Sequence, residues 1–112
     1  MSRPLTVAAL LLAVALGAHA WRANAQMPDK PPIDLTDPAI IKEGEQLYGQ
    51  TCRYCHGKEG QGGRGPTLKG RGFDYRHVWS RITSGYPPMP AFGQVYTPEQ
   101  VWGIVAFVQS MK

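Results

Sequence analysis

Two cysteines and a histidine stand together in the segment Cys52-Arg53-Tyr54-Cys55-His56. Two thiols three residues apart can add to the two vinyl groups on one edge of a porphyrin, each forming a thioether. The next residue, His56, is then held beneath the iron and can donate an imidazole nitrogen. C-x-x-C-H is the attachment motif of c-type haem. We therefore expect one haem, bound covalently through Cys52 and Cys55.

Three other kinds of site compete for these residues. A disulfide between Cys52 and Cys55 would close a very short, strained loop. A thioredoxin-like dithiol needs a βαβ setting, and the sequence has no period-2 segment long enough for a confident strand. A zinc site needs four ligands. Besides the two cysteines and His56, only the distant His77 is available, and the adjacent residues Cys55 and His56 would crowd a single metal ion. Haem attachment is therefore favoured.

Three main helices are predicted around this motif. The first begins at Thr36 or Asp37, where Asp37 is a good N-cap before a proline, and ends near Thr51. The second covers residues 74–84, with an aspartate to cap its start. The third has the clearest signals, because Thr97–Gln100 matches a capping box with proline at the first helical position.

The segments between these helices are rich in glycine and proline. Lys58–Gly72 contains six glycines and one proline, which indicates a loop. Three prolines at 87, 88 and 90 exclude regular structure until Tyr96. We find no internal repeat, and the predicted fold class is all-α, with helices joined by irregular loops.

Residues 1–25 have the pattern of a secretory signal peptide. Arg3 gives a basic start, the apolar run Leu5–Leu16 follows, and A-x-A sites end at Ala20 and Ala25. The apolar run is shorter than the roughly 20 residues that span a bilayer, so an uncleaved anchor is disfavoured. We expect cleavage after Ala25, with Ala20 as the alternative, and export to the periplasm.

Cleavage would leave a proline-rich lead-in at 26–36 and one domain at 37–112. The net charge of +4 for 112 residues would fall to +2 for 87. That length excludes a multidomain enzyme, a solenoid of repeats and a polytopic membrane protein. A loop-rich domain this small is rarely stable on side-chain core alone. An attached porphyrin would supply the missing apolar centre.

From about Pro38 to Met111 the chain resembles small class I c-type cytochromes of the bacterial periplasmic type. The specific part is the segment CRYCHG. Supporting parts are Gly44-x-x-x-Tyr48, Gly65-Pro66-Thr67-Leu68, Met89-Pro90-Ala91-Phe92 and the aromatic-bearing last helix. The resemblance implies a cytochrome c fold, with three main helices and irregular loops around one covalently attached haem. It also implies that the first and last helices cross at Gly44 and Phe107.

Two loop residues acquire roles from this resemblance. The Pro66 carbonyl would accept a hydrogen bond from the His56 imidazole, which orients the ring and raises its basicity. Met89 would be the second axial ligand, and its stiff proline-rich loop can present a side chain without a helix dictating its direction. His77 is a distant second candidate, while Met27 and Met111 are less suited.

Ligation by His56 and Met89 would leave no open position on the iron and would favour a high reduction potential. The expected function is that of a periplasmic single-electron carrier, not an enzyme. Its donor would be a dehydrogenase, for example of the quinoprotein type, or a quinol-oxidising complex, and its acceptor an oxidase or reductase. Two alternatives stay open: an electron-transfer subunit docked through the lead-in, and a haem sensor or enzyme with an open axial site.

Charge is distributed unevenly along the predicted mature chain. Residues 26–51 carry a net charge of −3, and 58–81 carry +4. The basic segment could steer docking to acidic redox partners or compensate the haem propionates, for which Arg71, Tyr75 and Trp79 are candidate contacts. With two propionates counted, the total charge is near zero, which argues against nucleic acid. We expect a monomer or loosely associated subunit, with no stable membrane insertion after cleavage.

Overall fold

The computed structural model describes residues 27–112, so the predicted signal peptide and both cleavage sites lie outside the described residues. Within this range the chain is helical and has no strands, which confirms the all-α prediction. The helices are α1 (Pro38–Thr51), α2 (Arg53–His56), α3 (Tyr75–Ser84) and α4 (Pro98–Ser110). The three predicted main helices are α1, α3 and α4. The single turn α2, which ends at His56, was not predicted.

Side-chain caps set the starts of the three longer helices. Asp37 accepts a hydrogen bond from the backbone N–H of Ala39 at 2.8 Å, and Asp74 accepts one from Arg76 at 2.7 Å. At α4, Thr97 and Gln100 form a reciprocal capping box, with Pro98 at the first helical position. These local contacts satisfy N–H groups that a helix leaves unpaired at its first turn.

Helices α1 and α4 cross at two glycines. A Cβ atom on Gly44 would overlap the carbonyl oxygen of Gly103, so a side chain at this position is incompatible with the crossing. Phe107, the residue that the resemblance pairs with Gly44, packs edge-on against Tyr48, with ring centroids 5.1 Å apart. The crossing places Tyr48 and the end of α1 against the most buried helix of the domain.

Helix α3 packs against the other side of α4. Val78 and Ile82 are buried in this contact. The indole rings of Trp79 and Trp102 stack with centroids 4.2 Å apart. Because α4 is covered by α1 and α3, its residues 101–106 are all buried.

The proline-rich lead-in is joined to α3. The backbone oxygen of Asp29 accepts hydrogen bonds from the Tyr75 hydroxyl at 2.7 Å and the Arg76 guanidinium at 2.8 Å. Ile33 and Leu35 pack against the core. Between residues 27 and 112, no helix has the length and apolar character needed to cross a membrane.

Candidate functional site

A cavity of about 670 Å³ opens between the ends of α1 and α2, the inner faces of α3 and α4, and two loops. Its volume lies in the range of small-molecule and cofactor sites, about 300–1,000 Å³. Both cysteines and His56 line it, and so does Met89 from a separate loop. Much of the remaining wall is apolar and includes Leu68, Phe73, Ile82, Ile104 and Val108.

The imidazole of His56 is oriented by a backbone carbonyl. His56 is 8% exposed, and its Nδ1 atom lies 2.9 Å from the carbonyl oxygen of Pro66. Because a carbonyl oxygen can only accept, Nδ1 carries the proton and donates it to Pro66. The lone pair of Nε2 is then available to a metal.

The loop after α2 folds back over this imidazole. Gly65 donates its backbone N–H to the Cys55 carbonyl at 2.8 Å, and Gly62 donates to that of His56 at 2.7 Å. A Cβ atom on Gly65 would lie 2.8 Å from Cε1 and 2.9 Å from Nδ1 of His56. Only glycine lets the backbone approach the ring this closely, so the loop holds the imidazole from one side.

Both cysteines are free thiols, which excludes the disulfide alternative in this structure. Cys52 is half-buried and Cys55 is exposed at the edge of the cavity. Burial, with a smaller contribution from Cys55, raises the pKa of the Cys52 thiol to about 11. This thiol is therefore protonated at neutral pH. Two unpaired thiols and a free imidazole nitrogen on one apolar cavity fit the two covalent attachment points and the one iron ligand that a haem c needs from a C-x-x-C-H motif.

Met89 lies in a loop fastened to the end of α3. Tyr86 and Met89 exchange backbone hydrogen bonds of 3.0 and 2.8 Å, which form a tight turn. Beyond the turn, the N–H of Phe92 donates to the Ile82 carbonyl at 2.7 Å. The half-buried Met89 thus reaches the cavity that His56 lines, as the sequence interpretation requires.

The other candidate ligands are placed less favourably. His77 lines the cavity but is exposed and stacks on the Phe73 ring at 4.9 Å. Met111 packs near Gly60, away from the cavity. Among residues 27–112, no group of three or more His, Cys, Asp or Glu side chains could hold a metal ion. The zinc alternative therefore has no support in the described part of the chain.

Arg71, Tyr75 and Trp79, predicted to contact propionates, do not line the cavity. The Arg71 guanidinium lies 5.3 Å from the centroid of the Phe73 ring. Tyr75 donates to the lead-in, and Trp79 stacks on the core.

Two other cations, Arg64 and Arg81, line the cavity instead. The position of Arg81 at the cavity could have been recognised from the sequence. Arg81 follows the apolar Val78 by three residues, which places both on the same face of the helix. None of the lining residues is a carboxylate, so the local charge suits an anionic group.

A family model and the sequences of characterised relatives indicate the same protein family. A family model described as cytochrome c oxidase, cbb3-type, subunit III, matches residues 39–108. Cytochrome c-551 of Bacillus subtilis is 32% identical over 92 residues, which cover 80% of this chain and 82% of that protein. The quinohemoprotein alcohol dehydrogenase ADH-IIG of Pseudomonas putida is 36% identical over 91 residues, 76% of this chain but 13% of that enzyme.

The fold has a counterpart among solved structures. The crystal structure of cytochrome cL from Methylophaga aminisulfidivorans superposes with a TM-score of 0.63. The match covers 76% of this chain and 71% of the other, at 24% sequence identity. At this identity the likeness concerns the fold.

Proposed function

Since the chain belongs to the cytochrome c family, we propose that it carries single electrons through one haem held by Cys52, Cys55, His56 and Met89. The observation that carries this proposal is the single cavity wall shared by two free thiols, the oriented imidazole and the methionine loop (residues 86–96). A haem c bound there would supply reversible one-electron Fe(III)/Fe(II) chemistry.

The protein's own residues would do three things around that group. His56 would donate the Nε2 lone pair, with its ring orientation set by the hydrogen bond to Pro66. Met89 would supply its thioether as the second iron ligand, and His/Met ligation raises the reduction potential of cytochromes c. The methionine loop and the apolar wall would exclude water. If both His56 and Met89 bind the iron, no position is left for a substrate, and the chain would be an electron carrier and not an enzyme.

We assign the contacts with the anionic haem propionates to Arg64 and Arg81. Both arginines line the cavity, and no Asp or Glu side chain accompanies them there. Opposite charges at close range stabilise one another more strongly where the surroundings are apolar. These two residues thus replace Arg71, Tyr75 and Trp79 in this role.

We propose that the partners are other redox proteins. The similarity to a quinohemoprotein alcohol dehydrogenase supports a dehydrogenase of that type as donor, and the description of the matching family model supports an oxidase as acceptor. Cytochrome c-551 is covered over 82% of its length, which favours a small separate carrier. Removal of residues 1–25 as a signal peptide and residence in the periplasm are part of this proposal.

A dedicated subunit of an enzyme complex is the second candidate. It is favoured because the chain matches only a small part of some larger relatives, for example 13% of the alcohol dehydrogenase. The lead-in, which could have docked to a partner, is however engaged by Tyr75 and Arg76 of its own chain. Elution as a monomer from gel filtration would support the carrier, and co-purification with a large subunit would support the complex.

Covalent attachment is tested by the mass of the denatured protein after expression in a host that matures c-type cytochromes. We expect the intact chain to carry the added mass of one haem, and the Cys52→Ala, Cys55→Ala double variant to lack it. A wild-type chain that releases its haem on denaturation would contradict the proposal.

A further inference from the structure

A hydrogen bond joins two side chains that are 45 residues apart in sequence, those of Thr51 and Tyr96. Thr51 is the last residue of α1 and directly precedes Cys52. Tyr96 is the last residue of the methionine loop, just before the N-cap of α4. The contact therefore connects the start of the haem-attachment motif to the loop that carries Met89.

The methionine loop is fastened to α3 by its backbone. Phe92 donates to Ile82 at 2.7 Å and Gly93 donates to Thr83 at 3.2 Å. Gly85 packs directly on the backbone of residues 89–91. All of these contacts lie on the α3 side of the loop. None of them holds the side of the loop that faces α1.

The Thr51–Tyr96 contact reaches that other side. A threonine in the last turn of a helix commonly bonds back to a carbonyl four residues earlier, but the hydroxyl of Thr51, which lines the cavity, is hydrogen-bonded to that of Tyr96. The Tyr96 backbone N–H is also bonded to the Phe92 carbonyl at 3.0 Å, and Phe92 lines the cavity. A displacement of Tyr96 would therefore also displace Phe92, which lines the cavity close to Met89 in the sequence.

We propose that Tyr96 is a positioning residue, tethered by Thr51, that keeps the methionine loop closed and Met89 on the iron. The inference rests on the proposed function, because it takes Met89 as the axial ligand. Without the tether, the loop would open more often while the fold stays intact. An external ligand would then compete more successfully for the position that Met89 vacates.

The experiment is a titration of the ferric, haem-bearing protein with imidazole, followed by absorbance. We expect Tyr96→Phe and Thr51→Val each to lower the apparent imidazole dissociation constant by roughly three- to tenfold, the equivalent of one hydrogen bond. The double variant should resemble either single variant, because both remove the same contact. Thr51→Ser, which keeps the hydroxyl, should bind imidazole as the wild type does.

Tyr75→Phe is the matched control. It removes the same hydroxyl group from another interelement hydrogen bond, the one to Asp29, and it lies outside the cavity. We expect its imidazole affinity to equal that of the wild type. An equal gain in this variant would show a general loosening of the domain and would overturn the proposal.

Two further outcomes separate this inference from the proposed function. If Tyr96→Phe and Thr51→Val bind imidazole as the wild type does and only their unfolding midpoints fall, the contact is merely stabilising and the inference is wrong. If Met89→Ala leaves imidazole binding unchanged, Met89 is not the ligand, and the axial assignment fails together with the inference. If the inference is right, Met89→Ala binds imidazole more tightly than the wild type. The Met89→Ala, Tyr96→Phe double variant then binds imidazole as Met89→Ala alone does.

Discussion

The backbone of Gly65 lies so close to the His56 imidazole that a Cβ atom would come within 2.8 Å of its Cε1 atom. The next residue, Pro66, supplies the carbonyl that orders the same ring. One short loop thus fixes both the position and the tautomer of the imidazole. The required backbone approach explains a glycine here, while the carbonyl could come from any residue.

We expect Gly65→Ala to displace the His56 ring or the loop, because the added methyl group has no space. The fraction of purified chain that carries haem should fall, as measured by the ratio of haem absorbance to protein. Pro66→Ala is the control, since it keeps the carbonyl acceptor, and it should have a smaller effect. Equal haem content in Gly65→Ala and wild type would argue against this packing.

We expect Gly44→Ala to destabilise the domain, because its methyl group would overlap the Gly103 carbonyl at the crossing of α1 and α4. Overpacking of this kind costs about 1–3 kcal/mol or more in the free energy of unfolding. Gly49→Ala in the same helix has no heavy atom within 4 Å of its Cβ position. It should be neutral, or stabilising by up to about 1 kcal/mol. Denaturant unfolding of both variants, compared in haem-loaded form, measures the difference.

We expect Arg81→Gln to lower the reduction potential, because a nearby cation favours the less positive Fe(II) state. The change should be on the order of tens of millivolts for one partly screened charge. Arg71→Gln removes a charge that does not line the cavity and should change the potential less. A redox titration that ranks the two variants in the opposite order would favour Arg71, the contact that the sequence suggests.

We expect alkaline pH to reduce stability partly through Tyr48, whose pKa burial raises to about 12 from its ordinary value of 10. The folded chain keeps this proton more firmly than the unfolded chain. The resulting contribution is therefore complete below pH 10 and is lost as the pH rises toward 12. Unfolding measured from pH 9 to 12 should show a shallower decline in Tyr48→Phe, and an unchanged slope would contradict this account.

Local patterns in the sequence predicted what local chemistry determines. Asp37, Asp74 and the Thr97–Gln100 box cap the three longer helices as expected, because a cap involves residues two or three positions apart. The one-turn helix α2 escaped prediction because four residues carry no periodic pattern. Its backbone is ordered instead by contacts with the loop after it.

Contacts between distant segments could not be predicted from one sequence. Composition marked 58–81 as basic, but which arginines reach the cavity depends on how the loop after α2 folds back and on how α3 packs against α4. Likewise, the partner of Gly44 follows from the depth of a helix crossing, and the bond from Tyr96 spans 45 residues. The haem-attachment motif was readable because its chemistry requires five consecutive residues.

The central claim is that the protein itself supplies both ligands of the haem iron. Its most direct test is carbon monoxide binding to the reduced protein at neutral pH. We predict no rapid change in the absorption spectrum of the wild type, because Met89 bound to the iron would occupy the position that carbon monoxide needs. Met89→Ala should form the carbonyl rapidly under the same conditions. Rapid carbonyl formation by the wild-type protein would contradict the account and would favour a haem sensor or enzyme with an open site.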